Sequence, residues 1–302
     1  MTKDMTTLKT AIIERFGTPC AVIDLDLVAR NIVKAQERCD AVGLANRPHI
    51  KTHKSPMLAN LQIKAGALGI TCQKLGEAEV MANAGITDII IATNLLGAAR
   101  SGRLATLQSQ LPLKVCADNT VSLSAYSKAA DQAGRPMDVL IECDTGQKRA
   151  GVETPQQALA LARIIRDDPY LNFAGLLFYP SLDGWPRTQL FFDNTAAGLS
   201  DLGLSAKIVS TGGTPNFAHI GSLKGATEHR AGTCIFNDRM MVKAGVATLE
   251  DCAFQVFTSV VSRSGPERGI LDAGSKTLTS DSGGLDGFGM ILEHPKARIH
   301  KF

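Results

Sequence analysis

The stretch DVLIEC at 138–143, with TPQQALALARIIRDDP at 154–169 and NFAGLLFY at 172–179, decides the fold. The outer two segments are apolar and strand-length, and the middle one places its apolar residues at helical spacing. Thr154-Pro155 reads as a helix start: a threonine hydroxyl caps free amides, and proline at the first helical position sacrifices no hydrogen bond. The same rhythm runs outward both ways. Upstream lie RPHIK (47–51), LGITC (68–72), DIIIAT (88–93) and LKVCA (113–117); downstream lie AKIVS (206–210) and ATEHR (226–230). Helical stretches such as KLGEAEVMANAG separate them, and Gly85 and Gly134 fall where helix C-caps are expected. Eight strand–helix pairs predict an α/β fold, a (β/α)8 barrel over 27–240, in preference to an open sheet.

After about residue 241 the pattern changes. AFQVFTSVVSRSG, RGILDAG, FGMILEHP and ARIHKF read as short antiparallel strands parted by Gly and Pro turns. They predict a small β domain made of 1–26 and 241–302, with AVIDLD after Pro19 free to pair there. Because the chain ends on an apparent strand, that domain is expected to be C-terminally incomplete.

Composition narrows the function. The chain has 302 residues, 44% hydrophobic and 20% charged, which suits a packed globular protein and excludes a disordered one. Lys plus Arg number 32 against 29 acidic residues, without a run of like charge, so neither a nucleic-acid arm nor an acidic tail is expected. No apolar stretch approaches the roughly 18 residues of a membrane span, and MTKDMTTLKT lacks a signal-peptide core. Seven scattered cysteines without a C-x-x-C read as reduced core thiols in a cytoplasmic protein.

Barrel enzymes carry reacting groups at the C-terminal ends of their strands. Lys51 falls there, and Arg47, His49, His53 and Lys54 supply a positive setting that favours the free amine as a nucleophile toward a carbonyl. A solvated basic loop is the alternative. Ser210-Thr-Gly-Gly-Thr214 follows the seventh strand, where bare backbone amides commonly meet a phosphate; Gly232 and Thr233 after the eighth strand complete the same cup. Arg149 either reaches a cofactor oxygen or pairs with Asp144. Tyr179 ends the sixth strand, as a core or rim residue or as a cofactor contact. His49 and His53 are four apart, but strand and turn geometry keeps them from forming a metal site, and no His-Cys or His-x-His cluster occurs.

Together, Pro19-Cys-Ala-Val-Ile-Asp-Leu-Asp, Arg47-Pro-His-Ile-Lys-Thr-His-Lys54, Ser210-Thr-Gly-Gly-Thr214 and Gly274-Ser-Lys-Thr277 resemble the D-threonine aldolase and D-serine dehydratase family of pyridoxal phosphate enzymes, of the alanine-racemase-like fold type. The resemblance implies that Lys51 carries pyridoxal 5'-phosphate as a Schiff base, with Ser210, Gly212, Gly213, Thr214, Gly232 and Thr233 around the phosphate. It implies Arg149 at the phenolate oxygen, Arg230 at the pyridine nitrogen and Tyr179 in the cofactor site. Cys234 stands where many relatives carry an aromatic residue, and Pro180-Ser-Leu-Asp183 lacks the histidine some members have there. The family also implies a divalent cation (Mn, Mg or Zn) held near the C-terminus by His with Cys or Asp; no matching pair occurs here, and the chain stops before that motif. The implied activity is retro-aldol cleavage of a D-β-hydroxy amino acid to glycine and an aldehyde, in a homodimer. Dehydration of D-serine or 3-hydroxyaspartate is the alternative, and a pyridoxal phosphate carrier without turnover is the alternative of another class. A racemase is disfavoured, because no second base can be assigned.

Overall fold

The computed structural model describes residues 3–301, which fall into two compact units: the segments up to Val28 and from Phe236 onward, and the segment Ala29–Ile235. The first unit holds α1 (Lys3–Phe16) and β1 (Cys20–Ile23), and α2 (Leu25–Asp40) runs across the division.

The second unit contains eight parallel strands: β2 (Ala45–Asn46), β3 (Ile70–Cys72), β4 (Ile89–Ile91), β5 (Lys114–Ala117), β6 (Met137–Cys143), β7 (Leu171–Phe178), β8 (Ile208–Thr211) and β9 (Glu228–His229). They lie in the order β2-β9-β8-β7-β6-β5-β4-β3. A parallel bridge from His49 to Thr71, with the Leu68 amide on Asn46 O, joins the β2 and β3 ends and closes the ring. The expected barrel is therefore present. Five helices, α3 (Pro56–Lys64), α4 (Leu75–Asn83), α5 (Ala98–Gln110), α6 (Thr120–Ala133) and α7 (Pro155–Asp167), follow successive strands, and α8 (Trp185–Asp201) follows β7. Ile70, Ile89, Ile91, Val115, Val139, Ile141 and Leu176 pack beneath them as one buried core.

Local chemistry sets the helix ends. Thr154 caps α7 in a reciprocal pair with Gln157, and Gly134 closes α6 in the left-handed region at φ 64. Gly85, at φ 86, follows α4 in the same way.

Three expectations need correction. RPHIK is not a strand through Lys51: pairing ends at His49, and Ile50–Thr52 winds into a 3-10 turn. Strands β8 and β9 run instead into the 3-10 turns Thr214–His219 and Thr233–Ile235, and Gly212 and Gly213 before the first turn hold φ of 143 and 122, outside the helical region. FGMILEHP and ARIHKF form no ladder among the described residues, only the bridge Met290 to Arg298 with the Phe288 amide on Ile299 O at 3.0 Å, and Phe302 lies outside those residues. In the first unit, AVIDLD does pair as β1 with β10 (Phe254–Phe257). After α9 (Arg239–Lys243), β11 (Val260–Gly265) and β12 (Arg268–Leu271) form a hairpin. No helix of the described residues is long and apolar enough to cross a membrane. All seven cysteines are free, five of them buried.

Candidate active site

The turn after β2 presents Lys51. His49, the residue before the turn, accepts the Lys51 amide on Nδ1 at 3.4 Å and meets Gln73 Oε1 through Nε2 at 3.2 Å. That pattern fits the neutral ring with its proton on Nε2. Burial, together with Lys51 and Arg230 nearby, pushes the His49 pKa down to about 3. His53 is held the same way, its ring between the Ser55 amide at 3.0 Å and Gln62 at 3.2 Å, with its pKa lowered by burial.

Arg47 is 1% exposed and donates to Glu228 at 2.7 Å and Asp88 at 2.5 Å. Lys54 points to Glu77 at 3.7 Å. Within this segment Arg47 and His49 are buried while Lys51 and Lys54 are exposed, and the Arg47 charge is taken up by Glu228 and Asp88.

The cations that act on Lys51 come from elsewhere in the barrel. Although Lys51 is exposed, enough protein surrounds its ammonium that desolvation lowers its pKa, reinforced by Arg149 and Arg230 and opposed by Glu77. An amine depressed in this way is more often neutral, the form that attacks a carbonyl.

Arg149 sits on the loop after β6, which is wound around one carboxylate. Asp144 accepts the amides of Gly146 at 2.8 Å, Gln147 at 2.7 Å and Arg149 at 2.7 Å. These amides hold its carboxyl below the usual range against the upward pull of desolvation. Asp144 therefore binds the Arg149 backbone and shapes the loop, while the guanidinium stacks 5.0 Å from the Tyr179 ring centre. Tyr179 lies against Gly213, where a Cβ would come within 2.6 Å of its ring.

The turns after β8 and β9 meet where the Cys234 amide donates to Thr214 Oγ1 at 3.0 Å. Gly212 and Gly213 have φ of 143 and 122, and a Cβ on Gly212 would fall 2.4 Å from the Arg230 amide nitrogen. At Gly232 it would fall 2.6 Å from His49 O. Among the described residues the amides of Gly213, Thr214, Gly232 and Thr233 donate to no protein group. Bare amides on closely approaching glycine backbone are a donor set suited to a phosphate.

Ser210 stands apart from that cradle. It is fully buried on β8, its hydroxyl donating to Glu228 Oε1 at 2.5 Å and accepting from Arg230 at 2.6 Å. Arg230 is also buried and reaches Phe178 O at 2.9 Å. Glu228 and Glu142 escaped sequence reasoning. Glu228 lies two residues before Arg230 on one strand, so the two-residue period could have placed both on one face. No group of three or more His, Cys, Asp or Glu side chains among the described residues is arranged to hold a metal ion.

The parallel barrel thus carries the Lys51 amine, the Arg149 and Arg230 guanidinium groups and a set of bare backbone amides. The chain belongs to the alanine racemase N-terminal domain family, whose pattern matches residues 23–240; it is a family of pyridoxal-phosphate-dependent enzymes. It is 37% identical over 284 residues to a D-threonine aldolase of Arthrobacter sp., covering 89% of this chain and 74% of the relative. It is 35% identical over 281 residues to a D-threo-3-hydroxyaspartate dehydratase of Delftia sp. strain HT23, covering 88% and 73%. The structure of a D-threonine aldolase from Filomicrobium marinum superposes with a TM-score of 0.85 at 31% identity, covering 93% of this chain and 79% of that one.

Proposed function

We propose that this chain is a pyridoxal-phosphate-dependent lyase that cleaves D-β-hydroxy amino acids to glycine and an aldehyde. The observation that carries the reading is the Lys51 amine, its pKa lowered beside Arg149 and Arg230, in the barrel that holds the amide cradle. Relatives named as D-threonine aldolase and 3-hydroxy-D-aspartate aldolase support the lyase class.

The residues fit the cofactor. Gly212, Gly213, Thr214, Gly232 and Thr233 would hold the phosphate through backbone amides, Arg149 and Tyr179 would contact the ring, and Arg230 would serve its pyridine side. When bound, pyridoxal phosphate supplies an electron sink that stabilises negative charge at the amino acid Cα. Lys51 would supply the amine to the aldehyde carbon, its charged form disfavoured by desolvation and by Arg149 and Arg230. The Asp144-centred loop fixes Arg149, and the glycines keep side chains out of the cradle. Neutral His49 anchors the Lys51 turn through its contact with the Lys51 amide. The chain is placed in the cytoplasm as a homodimer; free cysteines suit a reducing compartment.

Dehydration is the second reading, favoured by the similarity to the Delftia dehydratase. Product analysis with D-threonine, D-serine and D-3-hydroxyaspartate, with and without Mn²⁺, decides between them. Glycine plus an aldehyde, lost in Lys51→Ala, is the expected result. Oxo acid plus ammonia would move the chain to the dehydratases, and cofactor binding without either product would leave a carrier.

A further inference from the structure

Glu142 on β6, Leu177 on β7, Ser210 on β8 and Glu228 on β9 are successive register partners, so their side chains share a face of the sheet. Arg230 follows two residues after Glu228, on that same face. Its guanidinium donates from Nη1 to Ser210 Oγ at 2.6 Å and from Nη2 to Phe178 O at 2.9 Å. The Ser210 hydroxyl donates its hydrogen bond to Glu228 Oε1, and the other carboxylate oxygen accepts from Arg47 Nε at 2.7 Å. All four side chains are buried.

A buried arginine beside a carboxylate ordinarily forms a forked ion pair with it. Here one hydroxyl stands between the two, and Arg47 takes the oxygen that Arg230 does not reach. Arg230 is left with neutral acceptors only.

We propose that Ser210 is a positioning residue: a spacer that holds the Arg230 guanidinium off Glu228 and so leaves its positive charge to act on Lys51. The inference rests on Lys51 being the reacting amine of the proposed function, and it takes Ser210 out of the phosphate cradle. The charged and titratable groups facing Arg230 include Glu142, Glu228, Cys116, Arg47 and His229. Those facing Lys51 are Arg149, Arg230 and Glu77, and His49 faces both cations. Burial raises the Glu142 pKa and Asp118 adds to the rise, against the downward pull of Arg230. Without the Ser210 hydroxyl, the guanidinium is free to close on Glu228, and its effect on Lys51 weakens.

The test is competitive acetylation of the full chain, cleared of pyridoxal phosphate, with acetic anhydride across a pH series. The peptide carrying Lys51 is read by mass spectrometry, and thermal melting confirms folding. In Ser210→Ala the labelling midpoint of Lys51 is expected to move to higher pH, with labelling near neutral pH falling about threefold or more. In Glu228→Gln, which keeps the spacer and removes the negative charge, the midpoint moves to lower pH. An unchanged Lys51 profile in Ser210→Ala overturns the proposal, and so does a Ser210→Ala variant that loses only pyridoxal phosphate affinity, since that marks a phosphate donor. If Ser210→Ala fails to fold, the sign in Glu228→Gln decides. Failure of the parent chain to bind pyridoxal phosphate would instead overturn the proposed function, which the labelling result does not depend on.

Discussion

Lys51 and Gly213 are the two residues at which a single substitution tests the proposed function most sharply. Replacing Lys51 by alanine removes the amine, and glycine release from D-threonine is expected to drop below about a thousandth of the parent rate. Gly213 has φ 122, and a Cβ there would lie 2.6 Å from Tyr179 Cε2. Gly213→Ala is expected to cost about 1–3 kcal/mol in denaturant unfolding and to weaken pyridoxal phosphate binding, read by absorption titration. At this scale Lys51 stands out in the sequence through a dense local motif and the glycines through their loop. The Ser210 hydroxyl's partners, Glu228 and Arg230, do not, because they come from across the strand and local spacing carries no record of such a contact.

Elements place these residues. The loop after β6 is an Asp144-centred turn whose amides from Gly146 to Arg149 converge on one carboxylate. Asp144→Ala strips those amides of their acceptor and is expected to lower stability by about 1–3 kcal/mol in denaturant unfolding. With Arg149 released, pyridoxal phosphate affinity should fall in the same variant, whereas an exposed control such as Asp167→Ala should retain it. Strand periodicity made the barrel elements legible, and helix caps such as Thr154-Pro155 and Gly134 marked their ends. Sequence reading passed over α1, since MTKDMTTLKT was weighed only as a targeting signal. FGMILEHP and ARIHKF carry apolar residues without a partner ladder, and strand-like composition does not supply hydrogen bonds.

At the scale of the whole molecule, the barrel unit buries polar as well as apolar groups, and this fixes how its stability depends on pH. Burial drives the pKa of His49 to about 3 and that of His229 to about 4, both below the value near 6.5 of the unfolded chain. Between those limits the unfolded chain binds more protons, so stability rises with pH. The contribution is complete above about pH 6.5 and is lost as pH falls toward 4 and then 3. The melting temperature is expected to fall steadily over that window. His49→Gln combined with His229→Gln should flatten the slope, and an unchanged slope would count against two neutral buried histidines.

Borohydride reduction of the pyridoxal-phosphate-loaded chain, followed by peptide mapping, tests the central assignment most directly. A single phosphopyridoxyl group on the peptide that contains Lys51 is the expected result. A label on another lysine, or no label at all, would contradict it.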